Sequence, residues 1–274
     1  MKKKLVFHFY IKNDWVKLPI VSLHLKLLRH YANFFDESLF VISVDDVDDF
    51  NLIQKIETTI VGIGFTNVKF KVIKNDKKLR EVITYYNDFV KEFEAYDGLL
   101  YFAHIKGVYD TTGMGMSYDA ISHWVTTMYY QLFSEPLYHT LADANNKYIV
   151  GGANKTIVDS EFRDFSFYGK YGWYYCGTFI VVNCPKIREW AKRKNVNLLL
   201  PVTGKYYSEQ YVTYMIPIEL GYGKCVAYPD LNCVYENSKW VIDLNFNGKE
   251  RDDYLKFYNK IQDGEEVNIS ISCD

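Results

Sequence analysis

The sequence predicts an α/β protein built on a doubly wound, mainly parallel sheet flanked by helices. Two observations predict it. Up to Ile105, short apolar runs of strand length alternate with helical patterns in the order βαβαβαβ. The stretch Tyr96–Gly107, YDGLLYFAHIKG, then reads as a turn, a buried strand and a His-x-Lys-Gly at the strand's end. Open α/β sheets present their ligand sites there, outside the carboxyl ends of the strands. A ring that can donate, a fixed cation and a glycine permitting close backbone approach suit a phosphate.

The elements follow in order. Leu5–Ile11 is the first strand. The start of the chain, MKKKLVFHFYI, superficially resembles a leader peptide. Its apolar run is too short, contains His8, and meets Lys12 and Asp14 at once. Trp15–Tyr31 is helical, with Leu18, Val21, Leu25 and Leu28 on one face. Leu39–Val44 is a strand ending in Asp45-Asp46, Phe50–Ile60 a helix, Val68–Ile73 a strand, Lys78–Phe93 a helix and Leu99–Ile105 a strand.

The remainder is less regular. Gly107–Tyr118, with Gly113 and Gly115, reads as a mobile loop. Ser117 can cap a helix running to about Phe133, with Ile121, Trp124, Val125, Met128 and Leu132 facing inward. Tyr148–Val150 and Tyr174–Val182 read as strands, and Pro185–Lys194 and Ser208–Ile216 as helices, the last ending near Pro217. With no repeat, low-complexity tract or linker, residues 1–274 read as one domain.

Composition bounds function. The chain has 274 residues, 49% hydrophobic and 24% charged, as globular proteins have. Its 25 Tyr and 18 Phe supply ring faces suited to sugars or bases, and equally to an ordinary core. A net charge of −2 gives no global field for nucleic acid. Five cysteines, Cys176, Cys184, Cys225, Cys233 and Cys273, form no C-x-x-C pair, which points to reduced thiols in a cytoplasmic protein rather than zinc or disulfides. No apolar stretch is long enough to span a bilayer. No Walker A, Gly-x-Ser-x-Gly or His-Glu-x-x-His segment occurs.

Several short segments carry a resemblance. Asn75–Glu81 falls where one family has Asn-x-Gly-Arg-Asp. Tyr96-Asp97 followed, after six intervening residues, by His104-x-Lys106 resembles its Y-D-x5-H-x-K, which has five. Trp124 with Met128 resembles a W-R-x-x-M helix, and Gly177-Thr178-Phe179 resembles a G-T/N-F-F/W strand, with Ile180 at its last position. In these the chain resembles GT-A-type glycosyltransferases, most closely the rhamnan-synthesis-F-like polysaccharide group, from about Leu5 to Tyr214. It departs where Asn75 lacks the following Gly-Arg-Asp and where Val125 follows Trp124.

The resemblance implies a GT-A-like (Rossmann-like) fold, with residues 1–107 holding a nucleotide-sugar donor and residues 108–274 on the side of a glycan acceptor. Where many such enzymes carry a metal-holding Asp-x-Asp, this chain has His104-Ile105-Lys106. Lys106 can neutralise a diphosphate directly, which implies a metal-independent transferase, with Mg²⁺ or Mn²⁺ the less favoured arrangement. His104, Lys106, Gly107 and Asp45 are therefore the candidate donor-binding residues; Asp45 directly follows its strand and suits a ribose or base. Among its neighbours, Asp48 or Asp49 can instead cap a helix.

Glu209, opening a late helix as Glu-Gln, is the candidate catalytic base, although a first-turn Glu also suits the helix dipole. Asp143, in Leu-Ala-Asp-Ala-Asn-Asn, is a second candidate and equally a turn residue. Trp173 and Trp124 are candidate stacking rings, beside Tyr174 and Tyr175, which suit a core strand. An alternative acceptor is a modified nucleobase in DNA, for which Lys69, Lys71, Lys74, Lys77, Lys78 and Arg80 would offer a basic surface, though such a run also reads as a solvated face. A further alternative is a nucleotide- or glycan-binding module without catalysis.

Overall fold

A computed structural model describes residues 1–106, 117–157, 173–175, 177–199, 208, 211, 215–223, 225–227, 242–243, 245–267 and 269. The strands are β1 (Lys2–Tyr10), β2 (Glu37–Val44), β3 (Val68–Lys74), β4 (Gly98–His104), β5 (Val150–Gly152), β6 (Lys155–Ile157), β7 (Trp173–Tyr175), β8 (Ile180–Asn183), β9 (Gly221–Tyr222) and β10 (Cys225–Ala227). The principal helices are α1 (Pro19–Tyr31), α2 (Phe50–Gly62), α3 (Tyr118–Leu132), α4 (Glu135–Ala142), α5 (Cys184–Lys194) and α6 (Gly248–Gln262).

Seven strands form one sheet in the order β3-β2-β1-β4-β8-β5-β9. All its pairings are parallel except those of β8, which runs antiparallel to both β4 and β5. A three-stranded sheet, β10-β6-β7, stands beside it. The chain is thus the α/β protein with a mainly parallel sheet that the sequence predicts.

The reason lies in the strand composition. Leu5, Phe7 and Phe9 of β1 join one core cluster with residues of α1, α2 and α3. Val6, between them, joins a second cluster with Val82, Phe89 and residues of α5. In β4 the same split separates Leu99, Tyr101 and Ala103 from Leu100 and Phe102. Strands buried on both faces read as continuous apolar runs, and helices cover both sides. Asp49 caps α2, its carboxylate accepting from the Leu52 N–H at 3.1 Å.

The structure corrects four elements. The first helix begins at Pro19, after a 3₁₀ turn at Asn13–Trp15. Lys78–Phe93 is not one helix. The Asp76 carboxylate accepts from the Lys78 and Leu79 N–H groups in a local turn, and Arg80 is left-handed at φ 50°. Mixed helical pitch follows, with a π-helical stretch at Tyr85–Phe89 and a 3₁₀ stretch at Val90–Glu94. The expected strand Tyr148–Val150 is displaced to Val150–Gly152. Tyr174–Val182 divides between two sheets, because Gly177 (φ 87°) and Thr178 (φ 57°) turn the chain after β7.

Of the Ser208–Ile216 helix, Ser208, Tyr211 and Met215 are helical; the loop at 107–116 lies outside the described residues. β3 is an edge strand, and its Lys69, Lys71 and Lys74 are exposed. Charges there guard an edge against further pairing, and Lys71 is already committed to Asp88 at 2.6 Å.

Candidate functional site

Sheet order reverses beside β1: β2 and β3 extend to one side and β4 to the other. Such a switch point opens a crevice outside the carboxyl ends of the strands. Tyr10, Asp45, Asn75 and His104 all stand at or just past those ends.

Asp45 is the centre of a polar group. Its Oδ1 accepts from the Tyr10 hydroxyl at 3.2 Å and from Asn75 Nδ2 at 3.0 Å. Lys12 Nζ lies 3.9 Å from Oδ2 and 4.9 Å from the Trp15 ring centroid. Trp15 in turn meets Tyr10 edge-on at 5.4 Å. Burial, then the Asp45 charge, pushes the Tyr10 phenol well above its usual range, so it remains a donor to the carboxylate. The Asp45 side chain is nevertheless 47% exposed. A carboxylate fixed by two neutral donors, still open to solvent and flanked by two aromatic rings, can accept hydrogen bonds from a ribose or a base. Its neighbours are structural: Asp46 Oδ1 accepts from the Asp48 N–H at 3.0 Å, and Asp49 is the helix cap.

Behind the crevice stand three buried histidines. His8 and His104 face each other in register across β1 and β4. His8 Nδ1 is 2.8 Å from Thr84 Oγ1, and His104 Nε2 is 2.9 Å from the Gly177 carbonyl oxygen. His24, from α1, places Nδ1 2.8 Å from the Tyr129 hydroxyl and Nε2 2.8 Å from the Lys106 carbonyl oxygen. Burial drives all three down, His8 to about 4 and His24 and His104 to about 3. They are therefore neutral at pH 7; His24 and His104 hold main chain at the crevice, and His8 holds the Thr84 side chain.

His104 is 5% exposed, so its ring stands behind the crevice wall rather than on it. The strand ends at His104, and the shared face expected for residues two apart ends with it. Lys106 instead sets its Nζ over Trp124, 5.2 Å from the ring centroid. His104 reaches the carbonyl of Gly177, and Trp124 and Met128 pack on the same residue: an added Cβ there would lie 3.6 Å from Trp124 Cζ2 and 2.6 Å from Met128 Sδ.

Thr178 is the most strained residue of this region. It is buried, β-branched and left-handed, a combination that costs energy and persists where the surroundings impose it, often at functional sites. Its Oγ1 lies 3.3 Å from Ser208 Oγ. Ser208 immediately precedes Glu209 in the sequence. Glu209 and Gly107 lie outside the described residues.

Three expectations are corrected. Asp143 ends α4, where its carboxylate accepts from the Asn145 N–H at 2.9 Å and its carbonyl from Lys186 Nζ at 2.7 Å. Lys186 follows Asn183, which pairs with Leu99 at the amino end of β4. Asp143 is thus a turn residue towards the amino ends of the strands, about 20 Å from the crevice at 3.3 Å per residue. Trp173 is fully buried, with Nε1 donating to the Ile216 carbonyl at 3.0 Å. Trp124 is 1% exposed and serves as a platform for Lys106. Aromatic content filled the core with both rings, leaving no open face to stack on. An alanine at Gly221 would set its Cβ 2.5 Å from Trp173 Cη2. Gly221→Ala should cost about 1–3 kcal/mol by overpacking, and an unchanged urea midpoint would contradict this packing.

Sequence reading missed Tyr10, Trp15, Asn75 and His24 as site residues. The usable signal was position: Tyr10 and Asn75 immediately end or follow strands whose carboxyl ends form the crevice. Among the described residues, no group of three or more His, Cys, Asp or Glu is arranged to hold a metal ion, and no helix is long and apolar enough to cross a membrane.

No protein-family model matches the chain, and no curated protein matches it. Among solved structures, the chain is similar to 4-diphosphocytidyl-2C-methyl-D-erythritol synthase from Anaerococcus prevotii, at 13% identity and a TM-score of 0.39, over 93% of this chain and 98% of that one. It is also similar to TarS residues 1–349 of S. aureus, at 10% identity and a TM-score of 0.33, over 96% of this chain and 72% of that one. Similarity at this level carries no function, and the fold class stands on the strand order described above.

Proposed function

We propose that the chain is a glycosyltransferase that moves a sugar from a nucleotide-sugar donor to a glycan hydroxyl, acting as one domain whose residues 1–107 hold the donor. The observation that carries this reading is the half-open Asp45 carboxylate, braced by Tyr10 and Asn75 beside Trp15 at the switch-point crevice. In it Asp45 accepts from the nucleoside and Lys106 supplies positive charge to the diphosphate without a metal. Gly107 permits close approach, and His104 and His24 position the main chain that presents these groups. Glu209 takes the proton from the acceptor hydroxyl.

The test is a thermal-shift and calorimetry panel of UDP-, GDP-, CMP- and dTDP-sugars. One should bind. Asp45→Ala and Lys106→Ala should each weaken it by about tenfold or more, as loss of a charge-assisted hydrogen bond does, with melting temperatures close to the parent's. Equal affinity in parent and variants would remove both residues from the donor site.

A further inference from the structure

We propose that a second cleft, away from the switch-point crevice, is a binding subsite for uncharged sugar rings; taking those rings as part of the acceptor rests on the transferase reading, whereas the binding itself does not. The cleft, about 420 Å³, is bounded by Tyr31, Tyr130, Gln131, Ser134, Tyr222 and Glu250 among others, a volume within the usual range of small-molecule sites. Tyr31 lies seven residues beyond His24 along α1, about 10 Å farther from the crevice at 1.5 Å per residue. Tyr10, Asp45, His104 and Lys106 are not among the residues that line it.

Chemistry selects the occupant. None of the described residues lining the cleft is Lys, Arg or His, and Glu250 brings negative charge. A nucleotide, a phosphorylated sugar or nucleic acid would find no counter-charge among these described residues. A purely apolar ligand would waste the amide, hydroxyl and carboxylate groups of the wall. A neutral sugar ring offers apolar faces to tyrosines and hydroxyl edges to the polar groups.

The tyrosines are held in place before any ligand arrives. Tyr222 meets Tyr148 edge-on at 5.1 Å, Tyr130 meets Phe246 at 5.7 Å and Tyr31 meets Phe133 at 5.3 Å. Rigid rings lose little freedom on binding. Gln131 is also fixed, with Nε2 donating to Asn245 Oδ1 at 2.8 Å and Oε1 accepting from the Asn154 N–H at 3.0 Å.

Asn154 stands behind this wall. It is 2% exposed, and neither its Oδ1 nor its Nδ2 has a hydrogen-bond partner. Its backbone is left-handed at φ 50°. Two unmatched buried polar atoms and a strained backbone on one residue cost stability, and such a residue calls for a reason. Its main-chain N–H nonetheless holds Oε1 of Gln131, the side chain that does line the cleft.

The test uses an immobilised array of uncharged gluco-, galacto-, manno- and rhamno-oligosaccharides beside phosphorylated and uronic-acid counterparts. The parent protein should be retained by uncharged members. Tyr222→Ala should weaken retention tenfold or more. Glu250→Ala removes an exposed acceptor on the cleft wall, so it should leave the melting temperature close to the parent's while weakening retention by a similar factor. No retention, retention by anionic members alone, or equal retention by both variants would overturn the proposal. The nucleotide panel run on the same samples separates the two readings: glycan retained without any nucleotide bound would sink the transferase and leave this cleft standing.

Discussion

Glu209→Gln is expected to lower turnover by about a hundredfold or more, with donor affinity nearly unchanged. An inverting transfer requires a carboxylate to take the acceptor's proton, and glutamine keeps the size of glutamate while removing that capacity. The neighbourhood supports the choice. Ser208, the preceding residue, is 3.3 Å from Thr178 through their hydroxyls, and the carbonyl of Gly177 is held by His104 at the carboxyl end of β4. The measurement is steady-state transfer with the donor identified by the nucleotide panel, beside calorimetry of the same variant. Normal turnover would remove Glu209 from the chemistry. Asp143 would not then replace it, because it stands towards the opposite, amino ends of the strands; Glu81, close enough for its charge to act on His8, would be the next carboxylate to examine.

Acid should unfold the protein well before its carboxylates are protonated. His8, His24 and His104 titrate at about 4, 3 and 3 in the folded chain, against about 6.5 when unfolded. Between those values the unfolded chain binds protons that the folded chain refuses, so stability rises with pH there. It is complete above about pH 6.5 and is lost as pH falls towards 4. Each histidine contributes a slope near 1.4 kcal/mol per pH unit, so three together approach about 4 kcal/mol per unit. Against a total stability of about 5–15 kcal/mol, that brings the unfolding midpoint to roughly pH 5 if the stability lies at the lower end of this range and to about pH 4 at its middle. Urea midpoints measured from pH 7.5 to 4.5 would show it, and a flat profile across that interval would rule out the buried, neutral state of these rings. Replacing His24 with Gln should make the profile shallower by about a third while lowering stability at pH 7.5.

The parallel strands were readable in two ways: β4, buried on both faces, is an uninterrupted apolar run, and β1 and β2 carry such runs over most of their length, whereas β3, at the sheet edge, reads by its alternation of Lys with apolar residues. The interruptions were harder. At Lys78–Phe93 the apolar spacing suits a helix, yet Asp76 and Arg80 divert the backbone before it starts. At Tyr174–Val182 the apolar residues are continuous, and the turn depends on a left-handed threonine, which no propensity anticipates. The candidate site was legible only as far as position along a strand reveals it. Asp45 and Lys106 follow their strands and could be named. His104 also ends a strand, but its ring turns inward to a carbonyl from a segment more than seventy residues away in sequence. Trp124 and Trp173 were chosen for their rings, and a ring's residue type does not say whether it ends in a core or a cleft.

The antiparallel strand β8 has a consequence for how the chain is made. β5 touches β8 and β9 but not β4. During synthesis from the amino terminus, β1 to β4 can therefore assemble, but β5, though translated next, has no place in the sheet until residues 180–183 emerge. In that interval β4 is a raw edge, with its inner backbone groups offered to any passing strand. A ribosome pausing between residues 157 and 180 would hold the chain in its most adhesive form. Synonymous codon changes that slow this stretch should raise the insoluble fraction while leaving the purified protein unchanged, since the hazard belongs to the order of assembly and vanishes once β8 is seated.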